Sequence, residues 1–404
     1  MSDNDLLAPS DHTITLPDGS TQTYHLRSLR STTTSEKEAD VDIANWTKFC
    51  ASVFSYKPNP PPPSYFARHF YNDPHRDADL VRVLIHCPTN NDEEREHGEI
   101  VSSVRIFRRT LTAGSSGVVE AGGIGEVCTS PNHQRRGLSK ILLKDALRIM
   151  SESSSSMTCS LLHANPEFRP VYSKVGGYQS LRSEWTVVPI QLNPLTNAKS
   201  GDNNEWCIRQ ANFPEDANQL HKLHMAYSEN RLVTIQRSLQ YWREYVGAEL
   251  GETLWVLTKP QPENGDEEKK GDVVAWISIR PRGAGRFQLR EFGVDKTMTS
   301  QNNKSVLTSW AMERLLGVAL NQVGGFNNDD ATSLVLPTFV LTEMKKEETA
   351  SGIDMSFLDL GNAKEENDDG WMYVNFNDAK PNVLELTTRE IDPRPHLIWP
   401  TDSF

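Results

Sequence analysis

Two stretches of the chain hold residues that could do chemistry together. In SPNHQRRGLSKILL (residues 130–143) a proline-marked turn leads through Gln134, Arg135, Arg136, Gly137, Leu138 and Ser139 into an apolar-periodic run that reads as a helix. The N–H groups at such a helix start have no partner inside the helix and lie at the positive end of its dipole, so they suit phosphate oxygens. Gly137 lets the backbone approach an anion closely, and Arg135 and Arg136 could add charged contacts. A solvated basic loop would look the same, and this stretch alone leaves both readings open. In NPEFRPVYSKVGGY (165–178) Tyr172 carries a hydroxyl that could protonate a leaving group or could pack between helix and sheet. Glu126, in GGIGEVCTS, is either a carboxylate placed to take a proton or a strand-end side chain in solvent.

The elements that must position these residues follow from periodicity and punctuation. Residues 24–30, 79–86, 99–110, 122–130 and 157–164 read as strands, and 38–54, SYFARHFY and 138–150 as helices. After a polar linker at 196–205 a similar order starts again. Strands are expected at 206–212, 253–259, 272–281 and 286–294, and helices at 214–228, 238–246 and 306–320. The tail from about 330 holds two more strand-like runs, SLVLPTFVL and WMYVNF. The acidic runs NDEEREHG, NGDEEKKGD and KEENDD read as solvated loops, and Trp242, Trp276 and Trp310 as core residues. The expected division is a first domain over 1–195 and a second over 206–404, whose extension from about 330 closes the substrate cleft.

Composition narrows the function classes. The 404 residues are enough for more than one domain, and a net charge of −12 argues against nucleic acid or an anionic membrane as partner. The five cysteines are dispersed with no C-x-x-C pair, so neither a disulfide framework nor a metal site is expected. The N-terminus lacks the form of a secretory signal and no apolar run is long enough to span a bilayer, which suggests a cytoplasmic protein.

EVCTSPNHQRRGLSKILL resembles the acetyl-CoA signature of the GCN5-related N-acetyltransferase (GNAT) superfamily, Q/R-x-x-G-x-G/A, with Ser139 in the final small position. NPEFRPVYSKVGGY resembles the last helix motif of that superfamily. Asn165, Tyr172, Lys174 and Gly176 keep its spacing, while Tyr178 falls one residue late. The resemblance covers about residues 20–190. It implies a mixed α/β GNAT fold with acetyl-CoA as donor and the pyrophosphate on the loop Gln134–Ser139. It further implies a pantetheine slot at Val127, Cys128 and Thr129, where a backbone N–H polarises the thioester carbonyl, with Asn165 also on the cofactor. Tyr172 would protonate the departing thiolate and Glu126 would deprotonate the amine. Glu120 and His163 are weaker candidates for proton transfer, and Cys128 and Cys159 read as small core residues.

The second half lacks the signature, reading DKTMTSQNNKS where it should fall, and is expected to be a degenerate GNAT-like domain that walls the cleft and takes part in homo-oligomer contacts. The architecture resembles the tandem-GNAT proteins of the mycobacterial enhanced-intracellular-survival type, in which a C-terminal carboxylate serves as base. That resemblance would give Phe404 the same role. Over its whole length the chain resembles the fungal L-lysine N6-acetyltransferases. The acceptor this implies is a small cationic amine such as free L-lysine. Protein lysines or N-termini and aminoglycosides remain alternatives, as does a non-catalytic acyl-CoA-binding scaffold.

Overall fold

The computed structural model describes residues 3–29, 36–57, 59–89, 91–113, 117–153, 157–181, 183–191, 206–229, 231–259, 271–283, 285–295, 308–323, 332–351, 355–368 and 370–376. It begins with α1 (Asp3–Leu7), the hairpin β1 (Ser10–Thr15) and β2 (Thr21–Ser28), and helices α2 (Glu36–Val53) and α3 (Pro63–Tyr71). The proline at the start of α3 fits the first helical turn, where its missing N–H costs nothing. β3 (Val81–His86) is followed by a helix, α4 (Asp92–His97), inside the acidic run expected to be a loop. The Asn91 side chain accepts the Glu94 N–H at 2.8 Å, and three acids occupy the first turn, where the helix dipole favours them.

The long hairpin β4 (Ile100–Ala113) and β5 (Val118–Thr129) precedes α5 (Leu138–Glu152), β6 (Cys159–His163), α6 (Arg169–Gly176) and β7 (Gln179–Ser180). Helical spacing on α5 buries Leu138, Leu142, Ala146, Ile149 and Met150 against the sheet. The chain continues through β8 (Ser183–Pro189), β9 (Cys207–Gln210), α7 (Ala217–Ser228) and β10 (Leu232–Ile235). α8 (Leu239–Tyr241) runs through a π turn at Trp242–Val246 into α9 (Gly247–Leu250). β11 (Leu254–Thr258), β12 (Val273–Pro281), β13 (Arg286–Val294) and α10 (Thr308–Gln322) come next. The last elements are β14 (Ser333–Pro337), α11 (Thr338–Ser351), β15 (Lys364–Asp368) and β16 (Trp371–Asn375).

Two mixed sheets result. The first has the order β1-β2-β3-β4-β5-β6-β16-β7, with β10 also on β4, and the second has the order β15-β8-β14-β13-β12-β11-β9. The halves expected at 1–195 and 206–404 therefore exchange strands. β8, from the first stretch, pairs antiparallel with β14 and β15, while β16, from the tail, lies between β6 and β7. Two further readings change. SLVLPTFVL is a strand only to Pro337 and then a helix, and KEEND is a strand because β8 offers it a free edge. Trp242 and Trp276 are fully buried in the second core, while Trp310 is partly buried against Trp206.

The feature that matters for function lies in the first sheet. Parallel pairing of β5 with β6 runs only from Ala121↔Cys159 to Ile124↔Leu162. Beyond it β5 continues on β4 alone, so a slot opens between residues 125–129 and the end of β6.

Candidate active site

A bulge shapes the wall of the slot. Ser103 is opposite Cys128 and Arg105 opposite Gly125, so Glu126 and Val127 together face Val104. Glu126 is left-handed, with φ of 52°. For a residue with a Cβ that conformation costs about 1–2 kcal/mol, so the surrounding strands must hold it there. Past the bulge the strand end is clamped: the Ser102 hydroxyl donates to the Cys128 carbonyl at 2.9 Å and lies 2.8 Å from the Thr129 hydroxyl. The Ser130 N–H donates to Val101 O on β4. Strand alternation then turns the N–H groups of Val127 and Thr129 away from β4, into the slot.

The Glu126 side chain is 8% exposed, with Oε1 3.6 Å from Arg105 Nη1. Its Oε2 and Arg105 Nη1 are both buried without a hydrogen-bond partner. Burial raises the Glu126 carboxyl above the ordinary carboxylate range, against the opposing pull of Arg105 and His69. Arg105 is itself locked in place. Asp73 accepts from Arg105 Nη2 at 3.1 Å and from Arg109 Nη1 and Nη2 at 3.1 and 3.0 Å, and the guanidinium lies 4.1 Å from the Phe107 ring centre. Burial opposes the Asp73 charge, but Arg109 and Arg105 win and hold the carboxyl below its usual value.

At one end of the slot, β5 turns through Pro131–His133 into the loop at 134–137. Arg135 (φ 61°) and Gly137 (φ 78°) are both left-handed, and Gly137 caps α5 with no side-chain hydrogen bond. The loop thus presents the N–H groups of the first helical turn, Leu138 and Ser139 among them, toward the slot mouth. The two arginines differ. Arg135 is exposed, whereas the Arg136 guanidinium donates to Gln22, to the Tyr24 hydroxyl at 2.7 Å and to Asn132 O at 2.6 Å. Arg136 therefore braces the loop against β2 rather than reaching over its face. Gln134 Nε2 donates to Thr129 O at 3.4 Å, tying loop to strand.

Tyr172 and Val175 of α6 pack against the same core cluster as Val127 of the bulge. Burial pushes the Tyr172 hydroxyl up to about 12, with the Cys128 thiol adding in the same direction, and the ring lies edge-on to Tyr178 at 6.2 Å. Asn165 stands where the chain leaves β6 for α6, and its Oδ1 accepts the Glu167 N–H at 3.1 Å. Cys128 and Cys159 are buried core thiols, Cys128 Sγ lying 3.9 Å from Cys50 Sγ. His163 packs on the Trp371 ring at 5.1 Å. Glu120 lies six residues before the bulge, about 20 Å along the strand, and accepts from Thr110. Phe404 lies outside the described residues.

α3, α9 and β13 together form a charged cluster that local sequence did not reveal. β10 is stitched onto β4 at Ala113 and Leu111. Glu249 accepts from Arg290 at 2.6 Å and from Arg68 at 2.8 Å, and lies 3.4 Å from His69 Nε2. Burial opposes its charge, but His69 and Arg290 bring the Glu249 carboxyl down to about 2. The Tyr65 ring lies tilted 4.1 Å from that of His69, and its hydroxyl is pushed up to about 12 by burial, with Glu249 and Glu126 adding in the same direction. Two arginines four residues apart inside the apolar strand VRIFRRT were the available signal for Arg105 and Arg109. Asp73, His69 and Glu249 gave none, because their partners are distant in sequence.

Residues 38–180, which span the bulge, the loop and α6, match the family model described as Acetyltransferase (GNAT) domain. This stretch thus has the pattern of a GNAT acetyltransferase domain. The chain is accordingly an acyltransferase. No curated protein matches it. Among solved structures it is similar to a probable N-acyltransferase of Enterococcus faecalis, at 11% identity and a TM-score of 0.54, covering 87% of this chain and 73% of that one. It is also similar to a GCN5-related N-acetyltransferase of Kribbella flavida, at 14% identity and a TM-score of 0.50, covering 87% and 71%. An N-myristoyltransferase of Saccharomyces cerevisiae with bound myristoyl-CoA gives 12% identity, a TM-score of 0.51 and 93% and 82% coverage. At these identities the likeness is one of fold, and it extends over both sheets. No helix among the described residues is long and apolar enough to cross a membrane.

Proposed function

We propose that the chain moves an acetyl group from acetyl-CoA to the primary amine of a small cationic acceptor, free L-lysine first among them, by direct attack within a ternary complex. The observation that carries this is the Glu126 carboxylate. It sits at a strained bulge, with one oxygen unpartnered and buried, and a tyrosine that stays protonated at neutral pH packs on the core that its neighbour Val127 also meets. The amides from Arg135 to Ser139 would hold the pyrophosphate, and the inward N–H groups of Val127 or Thr129 would polarise the thioester carbonyl. Glu126, raised toward neutrality, takes the proton of the attacking ammonium, and the Tyr172 hydroxyl returns one to the departing sulfur.

Free lysine as acceptor is supported by the whole-chain resemblance to the fungal L-lysine N6-acetyltransferases. A cytosolic setting fits five cysteines, all of them free and four of them buried. The test is acetyl-CoA turnover, read as thiol release, against a panel of free amino acids, polyamines, lysine peptides and aminoglycosides. Tight acetyl-CoA binding with no turnover on any amine would replace the enzyme reading with an acyl-CoA sensor. Turnover confined to peptides would move the acceptor to proteins.

A further inference from the structure

On the second sheet, Arg280 of β12 stands directly opposite Gln288 of β13. Its Nε and Nη2 both donate to Gln288 Oε1, at 2.9 and 2.7 Å. That acceptor is neutral, and no salt bridge to a carboxylate is formed by Arg280 among the described residues. The half-buried guanidinium thus has no carboxylate in direct contact among the described residues. One step along β13 the register breaks: Ile279 pairs with Leu289 and Ser278 with Glu291, which leaves Arg290 as the extra residue of a bulge. The bulge re-aims Arg290 onto Glu249, while its Nε remains buried without a partner. Arg68 and Arg290 thus share a single carboxylate, Glu249, with Arg280 next to them on the β12–β13 ladder, in a chain whose overall charge is −12.

Glu249 lies 3.4 Å from His69 of α3, and the next residue, Phe70, has its ring centre 5.1 Å from the guanidinium of Arg105, the ionic neighbour of Glu126, so this local excess of cation lies on the Glu126 side of the slot. Burial, with Arg290 and Arg282 close by, brings the Arg280 guanidinium down to about 10, as expected of a cation short of counter-charge. The donor's phosphates have their own proposed ligands in the backbone amides of the loop at 134–139.

We propose that Arg280, supported by Arg290, is a carboxylate-binding subsite contributed by the second sheet, and that it selects a free amino acid, held by its α-carboxylate, as acceptor. The proposal rests on the acetyl-transfer reading above and narrows it. An acceptor with a cationic amine at one end and a carboxylate at the other would match Glu126 and Arg280 together. A polyamine or a peptide-bound lysine would leave Arg280 unbalanced.

The test compares L-lysine with cadaverine, which is lysine without its carboxylate, in the full-length wild type and in Arg280→Gln. The wild type is expected to prefer lysine in kcat/KM by about 10-fold or more, the size of one charge-assisted pair. Arg280→Gln should raise the KM for lysine by a similar factor, leave the KM for acetyl-CoA unchanged and abolish the preference. Arg280→Lys should restore part of it, and an unaltered Tm in both variants would exclude misfolding as the cause. Equal use of cadaverine and lysine by the wild type would overturn the subsite while leaving acetyl transfer standing. A rise in the acetyl-CoA KM alone would reassign Arg280 to the donor's phosphates. Absence of turnover on every amine would sink the underlying reading together with the subsite.

Discussion

At the scale of single residues, the site depends on a carboxylate held where it is least comfortable. The Glu126 carboxyl has a folded-state pKa above its unfolded value, so its ionised form costs stability at neutral pH, and that cost vanishes once the pH is low enough to protonate both states. Glu126→Gln should therefore raise Tm at pH 7, with the gap closing as the pH falls through the carboxylate range, while turnover drops by about 10²–10⁴-fold. Thermal melts at several pH values read the first part, and a lower Tm at pH 7 would refute it. In the wild type the acid limb of kcat should lie above the ordinary carboxylate range. Tyr172→Phe should lower kcat by about 10²-fold and leave acetyl-CoA affinity nearly intact, since the hydroxyl meets only the leaving sulfur. A fully active Tyr172→Phe would remove the acid assignment. Both residues could be nominated from the sequence because each sits inside a local motif. Asp73, His69 and Glu249 could not, because their contacts exist only once elements far apart in sequence are brought together.

At the scale of elements, hydrophobic period placed most strands and helices, and it failed where pairing rather than burial decides. KEEND has the composition of a loop and becomes β15 only because its partner β8 is available, and NDEEREHG becomes α4 because Asn91 caps it. The two strands that carry Arg280 and Arg290 are fixed from behind by packing the sequence hinted at only through a glycine. Gly293 stands opposite Trp276, and a Cβ there would lie 2.1 Å from the buried indole ring. Gly293→Ala should thus cost about 1–3 kcal/mol through overpacking, visible as a fall in Tm of several degrees. If the Arg280 subsite depends on that ladder, the same variant should weaken acceptor binding more than donor binding. An unchanged Tm would mean that the indole can move aside and that β12 and β13 are not rigidly registered.

At the scale of the whole molecule, the exchange of strands makes the two halves mutually dependent. A division at 195 leaves β6 without β16 on its outer edge and uncovers Leu161 and Leu162, both buried beside Trp371, Met372 and Tyr373. It equally leaves β14 and β15 without β8, which pairs with both. Exposed apolar edges of this kind invite aggregation rather than independent folding. The first sheet also receives β10, and the acceptor wall receives Glu249 and Arg290, from beyond the break. Residues 1–195 expressed alone should therefore be insoluble or inactive even though they carry the whole signature loop, Glu126 and Tyr172. Co-expression with 196–404 should restore a soluble complex that turns over acetyl-CoA, measured by co-purification and thiol release. A soluble, active 1–195 fragment would show that the second sheet is dispensable for both fold and chemistry. The acceptor wall would then have to be sought within the first sheet alone.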